Sequence, residues 1–447
     1  MSETPVPSMT LSRLLAAILA LSLLAAAPLR AATFLRDADM EYALKQLAAP
    51  VLTAAGLTPS QVQIVVLDDS SLNAFVTDAR HIFLHSGLIM KLDSAASLQS
   101  VIAHEAAHIA NGHIARRLAN MRSARNAAGL GLALAAVAGA SGADPNVALG
   151  IALGSQSASQ RRFFSHTRAE ESSADIASVR YMVRAGIDPQ GAVDTIKHFT
   201  GQLNLNESRL DPYAVTHPLS RDRLRALEAL VASAPKAAPN AAAEYWFARA
   251  KGKLTAFKRA PGWTLRRAGS DPYKDVALMR QAVAYHRQSD LRRALKSIDA
   301  AIAMRPKDPY LLELKGQILL ESRQFKAAEQ VYSAAANRAP REPLILGGLG
   351  RARLATGNAK GALQALEGAR GRDFSDPRLL RDLAVAYAKL GNTGMASLAT
   401  AERYALIGRL TDAELHAGRA ADQLPRGSAP WQRAQDVLSA AKQAKRR

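Results

Sequence analysis

The segment His104-Glu105-Ala106-Ala107-His108 sets two imidazoles four residues apart, with a carboxylate beside the first. The apolar residues Leu98, Val101, Ile102 and Ile109 around it recur at helical spacing. On a helix, positions i and i+4 share one face, so both rings can point at a single ion. Two imidazole nitrogens and one carboxylate suit Zn2+ and leave a position open for water. A metal so held acidifies water, and Glu105 then stands where it can take the proton and later deliver it to a leaving amine. Cysteine is absent, which excludes disulfides, thiolate metal sites and Cys nucleophiles. Any metal must therefore use His and carboxylate.

The third ligand is sought downstream, in Arg168-Ala169-Glu170-Glu171-Ser172-Ser173-Ala174-Asp175. Glu171 and Asp175 are again four apart and share a helix face. One of them can bind metal while the other orients a ligand His. Glu170 projects about 100° away and reads as solvated. His113 lies nine residues past His104, on a poor face for joining it. With His166, His198 and His286 it reads as structural or solvated.

The elements that must position these groups are legible in outline. Ala38–Ala55 has helical apolar spacing, and Val62–Leu67 is rich in β-formers. Ser71–Val76 and His81–Leu84 read as strands, with Asp78-Ala79-Arg80 as the turn between them. The metal helix is expected from Leu92 to about Asn120, capped by Asp93 or Ser94. A second helix spans Arg168–Ala185 and is stopped by Gly186 and Asp188-Pro189. His217-Pro218 falls in a loop before a helix from Ser220 to Ala232. The Ala/Pro-rich run 233–240 reads as the end of this α+β unit.

HEAAH followed by E-x-x-x-D resembles the gluzincin metallopeptidases of the CAAX prenyl protease and HtpX group. Leu72-Asn73-Ala74-Phe75 and the stretch His81–Ile89 look like that family's approach to its metal helix. Thr216-His217-Pro218 with Arg223 looks like its downstream His-Pro…Arg element. Ser173 departs from the family's usual Glu in E-x-E-A-D but lies outside the ligand set. The resemblance implies one zinc ion held by His104, His108 and Glu171, with Glu105 as general base and Asp175 behind the ligands. It implies that His217 can fill the open metal position and act as a switch. Arg223 is expected either to supply charge to the tetrahedral intermediate or to form a structural ion pair. The strand His81–His85 is expected to be the edge to which an extended substrate adds.

The C-terminal half repeats. Ala294, Ala328, Ala362 and Ala396 are 34 residues apart, as are Asp308-Pro309, Glu342-Pro343 and Asp376-Pro377. Small residues where helices cross and Pro at each restart resemble the tetratricopeptide repeat. A shifted series at Ala401, Tyr404, Ala413 and Ala420 suggests that the helix near Met395–Gly408 serves two neighbouring pairs. The expected fold is mainly α: an α+β gluzincin peptidase domain followed by an α-solenoid of tetratricopeptide repeats. The expected segments are a signal peptide over 1–32, the peptidase domain over 33–235, a linker region over 236–271, repeats over 272–425 and a basic tail over 426–447.

Arg13, the apolar run Leu14–Pro28 and the small residues after it read as a cleaved secretory signal. Export of a chain without Cys is compatible with a bacterial periplasm, the expected location. A second apolar stretch, 127–153, is too broken to span a bilayer and reads as a helical hairpin. The net charge of +20 is concentrated C-terminally: residues 33–235 hold 18 Lys/Arg and 18 Asp/Glu, residues 236–447 hold 38 and 19. That asymmetry favours acidic partners or lipid headgroups, and it allows a peripheral membrane contact. Nucleic acid is not expected as a partner, since an exported protein rarely meets it; strong salt-dependent binding to DNA would revive that reading.

A signal, a metallopeptidase domain and such repeats together resemble periplasmic proteases and chaperones of outer-membrane assembly. The implied partners are unfolded or stalled outer-membrane proteins and, through the repeats, the assembly machinery. The rival expectation is a chaperone or adaptor with a latent, His217-blocked site.

Overall fold

The computed structural model describes residues 34–116, 167–199 and 211–445. The signal segment and the apolar stretch 127–153 lie outside the described residues. Four short strands form one sheet: β1 (Phe34–Leu35), β2 (Gln63–Leu67), β3 (Ala74–Val76) and β4 (His81–His85). Their spatial order is β1-β2-β4-β3. β4 runs parallel to β2, pairing Gln63 with His81 through to Leu67 with His85. On its other side it pairs antiparallel with β3. β4 is thus an interior strand, not the edge expected for it. All five of its residues are buried, the pattern of a strand enclosed on both faces. Among the described residues, the edge strand on this side of the sheet is β3.

The helix Ala38–Ala54 and the metal helix Ala95–Ala110 pack against each other and against the sheet. Ser94 caps the metal helix by accepting from the Ser97 amide. This helix ends ten residues before the expected Asn120. Asn111 is its C-cap, and Gly112 has φ +68°, a backbone state that favours Gly. The chain turns there and brings His113 back under the helix. The helix Arg168–Arg184 packs along the metal helix and opens on a capping box, in which Thr167 and Glu170 exchange hydrogen bonds. Glu170 therefore has a capping role. Two helices that the sequence pattern does not announce, Gln190–Lys197 and Pro212–Thr216, complete this part.

The segment 236–271, expected as linker, holds the helices Ala241–Lys258 and Pro261–Ala268. Asn240 caps the first of these. That helix packs on Ala38–Ala54 from one side and on Lys274–Arg287 from the other, so it joins the two halves as a shared wall. Two of its four basic residues, Arg249 and Lys253, are buried. Arg249 Nε lies 2.6 Å from Asp39 and its Nη1 2.5 Å from Asp308; Lys253 Nζ lies 2.8 Å from Asp37 and 3.6 Å from Glu313. A buried charge is tolerated only when paired, and these pairs bridge the N-terminal helix and the repeats. Arg36, 2.6 Å from Asp373, adds a third tie.

The repeats are antiparallel helix pairs, from Lys274–Arg287 with Leu291–Met304 to Pro377–Lys389 with Thr393–Leu406. Pro309, Pro343 and Pro377 each sit in the first turn of their helix, where a missing amide costs nothing. Ala294, Ala328 and Ala362 are fully buried at the helix crossings. The Tyr332 ring lies where any side chain at Gly316 or Gly348 would stand, which fixes both positions as Gly. Thr393–Leu406 packs against both Pro377–Lys389 and Leu410–Gln423, as the shifted series suggests. The expected basic tail is mostly the helix Ala429–Lys445, which buries Ala434, Val437, Ala440 and Ala441. Among the described residues, no helix is long and apolar enough to cross a membrane.

One core histidine gives the fold a pH dependence. His85 ends β4, with Nδ1 2.9 Å from Ser71 Oγ. Burial pushes its imidazole down to about 4, against an upward pull from Asp69. The unfolded chain takes up this proton near pH 6.5, whereas the folded chain resists it until about pH 4. The contribution is therefore complete above pH 6.5 and is lost as pH falls towards 4. In urea unfolding, the wild type should lose about 2–3 kcal/mol more than His85→Gln between pH 7 and 4.5. Equal losses in the two proteins would refute this.

Candidate metal centre

His104 and His108 lie one turn apart on the buried face of the metal helix, and Glu171 faces them from the helix Arg168–Arg184. His104 Nε2 is 3.1 Å from His108 Nε2 and 3.3 Å from Glu171 Oε2. His108 Nε2 is 3.3 Å from Glu171 Oε1. His217, the C-cap of Pro212–Thr216, places Nδ1 2.9 Å from Glu171 Oε1 and 3.3 Å from His104 Nε2. One ligand atom from each of these four residues lies within 4.8 Å of the others, and all four residues are buried.

These separations suit a tetrahedral ion. Ligands about 2.0–2.1 Å from zinc stand about 3.3 Å from one another. Glu171 Oε2 is buried between His104 Nε2 at 3.3 Å and the Arg223 guanidinium at 2.5 Å, while its Oε1 faces His108 and His217. Ring nitrogens of three buried histidines thus converge on each other and on one carboxylate, a concentration of lone pairs that a shared cation accommodates. The donors are nitrogen and oxygen only, the set that Zn2+ accepts.

The surrounding residues fix each ligand. Asp175 Oδ1 is 3.1 Å from His104 Nδ1, which turns Nε2 to the centre. His113 Nδ1 is 2.8 Å from His108 Nδ1 and does the same for the second ring. His113 is thus part of the site, contrary to its reading from sequence. A continuous helix would carry it away; the turn at Asn111-Gly112 returns it. Arg223 is buried and grips both carboxylates. Its Nε and Nη2 donate to Asp175 at 2.6 and 2.9 Å, and its Nη1 lies 2.5 Å from Glu171 Oε2. Ser220 caps the helix Arg221–Ala232 and so orients the turn that carries Arg223.

The charges follow from this packing. Burial opposes a proton on His104, but Glu171 and Asp175 push its imidazole up to about 10. Burial keeps His108 well below the usual imidazole range, only partly offset by Glu171. Burial also opposes ionisation of Glu171, but His217, Arg223 and His104 overcome it and hold the carboxyl well below its ordinary value. Glu105 is fully buried, and burial raises its carboxyl, with His217 and His104 pulling the other way. His217 Nε2 lies 3.3 Å from Glu105 Oε1.

The segment before and including His217 also runs along the β3 edge of the sheet. The Tyr213 amide donates to Leu72 O at 3.1 Å, and His217 Nε2 lies 3.1 Å from Ala74 O on β3. The Tyr213 ring stacks on His217 with centroids 4.5 Å apart, and Phe199 stacks on Tyr213.

Fold and site together define a helical α+β domain with a buried His/Glu metal centre, joined to a repeat solenoid. Residues 35–231 match Peptidase family M48, and residues 319–384 match the tetratricopeptide repeat. The chain thus carries an M48 peptidase domain followed by tetratricopeptide repeats. It is 25 % identical over 193 residues to the beta-barrel assembly-enhancing protease of Escherichia coli, which is 43 % of this chain and 39 % of that protein. It is 26 % identical over 159 residues to the protein of the same name from Yersinia pestis, covering 36 % of this chain and 32 % of that one. To the mitochondrial metalloendopeptidase OMA1 of Schizosaccharomyces pombe it is 25 % identical over 181 residues, 40 % of this chain and 49 % of that one. The matches span about two fifths of the Escherichia coli relative's length.

Proposed function

We propose that this chain is a periplasmic zinc endopeptidase of outer-membrane protein quality control, whose repeats recruit unfolded or stalled substrates or the assembly machinery. The observation that carries the reading is the buried cluster His104, His108, Glu171 and His217 with Glu105 beside it. His104, His108 and Glu171 would hold zinc, which when bound supplies Lewis acidity to water and to a peptide carbonyl. Glu105, raised by burial, takes the proton from the attacking water and returns it to the leaving amine. Asp175, His113 and Arg223 keep the ligands aimed. The substrate would lie extended along β3, the edge strand, and pair with its outward backbone groups. The periplasmic location and the outer-membrane substrates are drawn from the expected signal and from the name of the relatives.

The purified chain should bind one zinc ion and cleave an unfolded protein such as casein. Cleavage should stop with a chelator and return with added zinc. A chain that binds no zinc would overturn the reading and leave a repeat-based binding protein.

A specific observation favours a latent form of this enzyme, in which the chain acts mainly as chaperone until released. His217 supplies the fourth donor, and its ring also occupies the Ala74 carbonyl where a substrate strand would pair. His217→Ala should then raise casein cleavage roughly 10-fold or more, the factor that a closed-state bias of about 1.4 kcal/mol corresponds to. Lost cleavage with zinc retained would instead make His217 a catalytic group.

A further inference from the structure

We infer that the exposed corner around Trp263 docks the protein on anionic phospholipid bilayers. The stretch 245–270 contains seven Lys/Arg and no Asp or Glu. Four of these charges are accounted for: Arg249 and Lys253 in the buried network, Lys251 with Asp93, and Lys258 with Asp68. Arg259, Arg266 and Arg267 are exposed and have no ion pair among the described residues. Two of them lie over one aromatic ring. The Arg267 guanidinium lies 4.5 Å and that of Arg259 5.9 Å from the centre of the half-buried Trp263 ring.

The acids of the flanking elements are already committed. Asp271 pairs with Arg280 at 2.7 Å, Asp275 pairs with Arg305, and Glu244 accepts from the Ala95 amide at 3.2 Å. The corner therefore presents three exposed guanidinium groups without an ion pair among the described residues, two of them over an indole. Its backbone is held in place. Arg287 Nη1 donates to Ala256 O at 2.8 Å and to Arg259 O, which closes the end of the helix Ala241–Lys258.

Arginines gain about 1 kcal/mol each near an anionic leaflet, and indole rings settle at the headgroup level. An exposed corner between two helices suits a flat surface better than it suits a bound peptide. Lys258 ties this corner to Asp68, just past β2 in the loop towards β3. Docking would therefore bring the end of the sheet at which β2 leads into this loop towards the bilayer. The inference stands apart from the peptidase reading, because it needs neither the metal nor cleavage.

The test is flotation of the purified full chain with vesicles of phosphatidylglycerol and phosphatidylethanolamine, and with vesicles of phosphatidylcholine alone. The wild type should float with the anionic vesicles and not with the neutral ones, less so as salt rises. The variant Arg259→Gln/Arg266→Gln/Arg267→Gln should bind about 100-fold more weakly. Trp263→Ser should lose the residual binding that survives at high salt. Unchanged melting temperatures keep the comparison valid, and Arg266→Gln/Arg267→Gln serves if the triple variant unfolds. Equal binding to neutral vesicles, or undiminished binding by the Arg variants, would overturn the inference. Tighter Arg-dependent binding to polyglutamate than to anionic vesicles would overturn it in favour of an acidic protein partner.

Discussion

Replacing Glu105 by Gln is expected to lower cleavage of an unfolded substrate by about 10^2–10^4-fold while the chain keeps its zinc. Gln has the same shape, so the buried cavity around it stays filled. It cannot take a proton, so the attacking water loses its base. Zinc content should not change, because the donors that face one another are those of His104, His108, Glu171 and His217. Glu105 stands outside that set, with neither carboxylate oxygen hydrogen-bonded. Its carboxyl is raised by burial, which brings it towards the pKa of a base working near neutral pH. Metal analysis and casein cleavage, run on both proteins, check this. Zinc in both with equal cleavage would require another base. Loss of zinc from the variant would show that Glu105 supports the ligands instead. Absence of cleavage in both, with zinc in both, would favour the latent form closed by His217.

What the sequence makes legible at this site is what a helix repeats. His104 and His108, and Glu171 and Asp175, are each four apart, so their shared faces follow from helical geometry alone. The 34-residue period of the repeats is legible for a similar reason, since each unit must meet its neighbour in the same way. The rest depends on how the chain turns or on what neighbours it. His113 belongs to the site because Gly112 takes φ +68° and ends the helix. The Asn111-Gly112 pair is the available signal, a helix stop inside an apolar run. β4 reads as an edge because hairpin partners are adjacent in sequence, whereas β2 joins its other side in parallel from farther away. The five buried residues of β4 match such a doubly enclosed strand. The linker expectation fails because Pro235, Pro239 and Pro261 frame a helix that they do not interrupt. Nothing in local pattern announces that Arg249 and Lys253 are buried; that follows from Asp37, Asp39, Asp308 and Glu313 arriving from distant segments.

Removing the guanidinium of Arg223 separates the two roles that its sequence position allows. A group that stabilises the tetrahedral intermediate must have donors free to meet it. In the structure Nε and Nη2 are taken by Asp175, and Nη1 is shared between Glu171 and the Pro218 carbonyl at 3.3 Å. Arg223 is also buried with both of its partners. Taking one member from a buried, paired network leaves uncompensated charge and costs about 3–5 kcal/mol. Arg223→Ala is therefore expected to lose that much stability in denaturant unfolding with a chelator present. Added zinc should restore part of it, because a divalent cation at His104, His108 and Glu171 neutralises the same carboxylate. Cleavage should fall about 10- to 100-fold, through misaligned ligands. The two effects should appear together. A variant that loses cleavage at unchanged stability would place Arg223 on the reacting carbonyl. One that loses stability and cleavage together, and regains both in part with zinc, identifies it as the clamp that holds Glu171 and Asp175 against the metal helix.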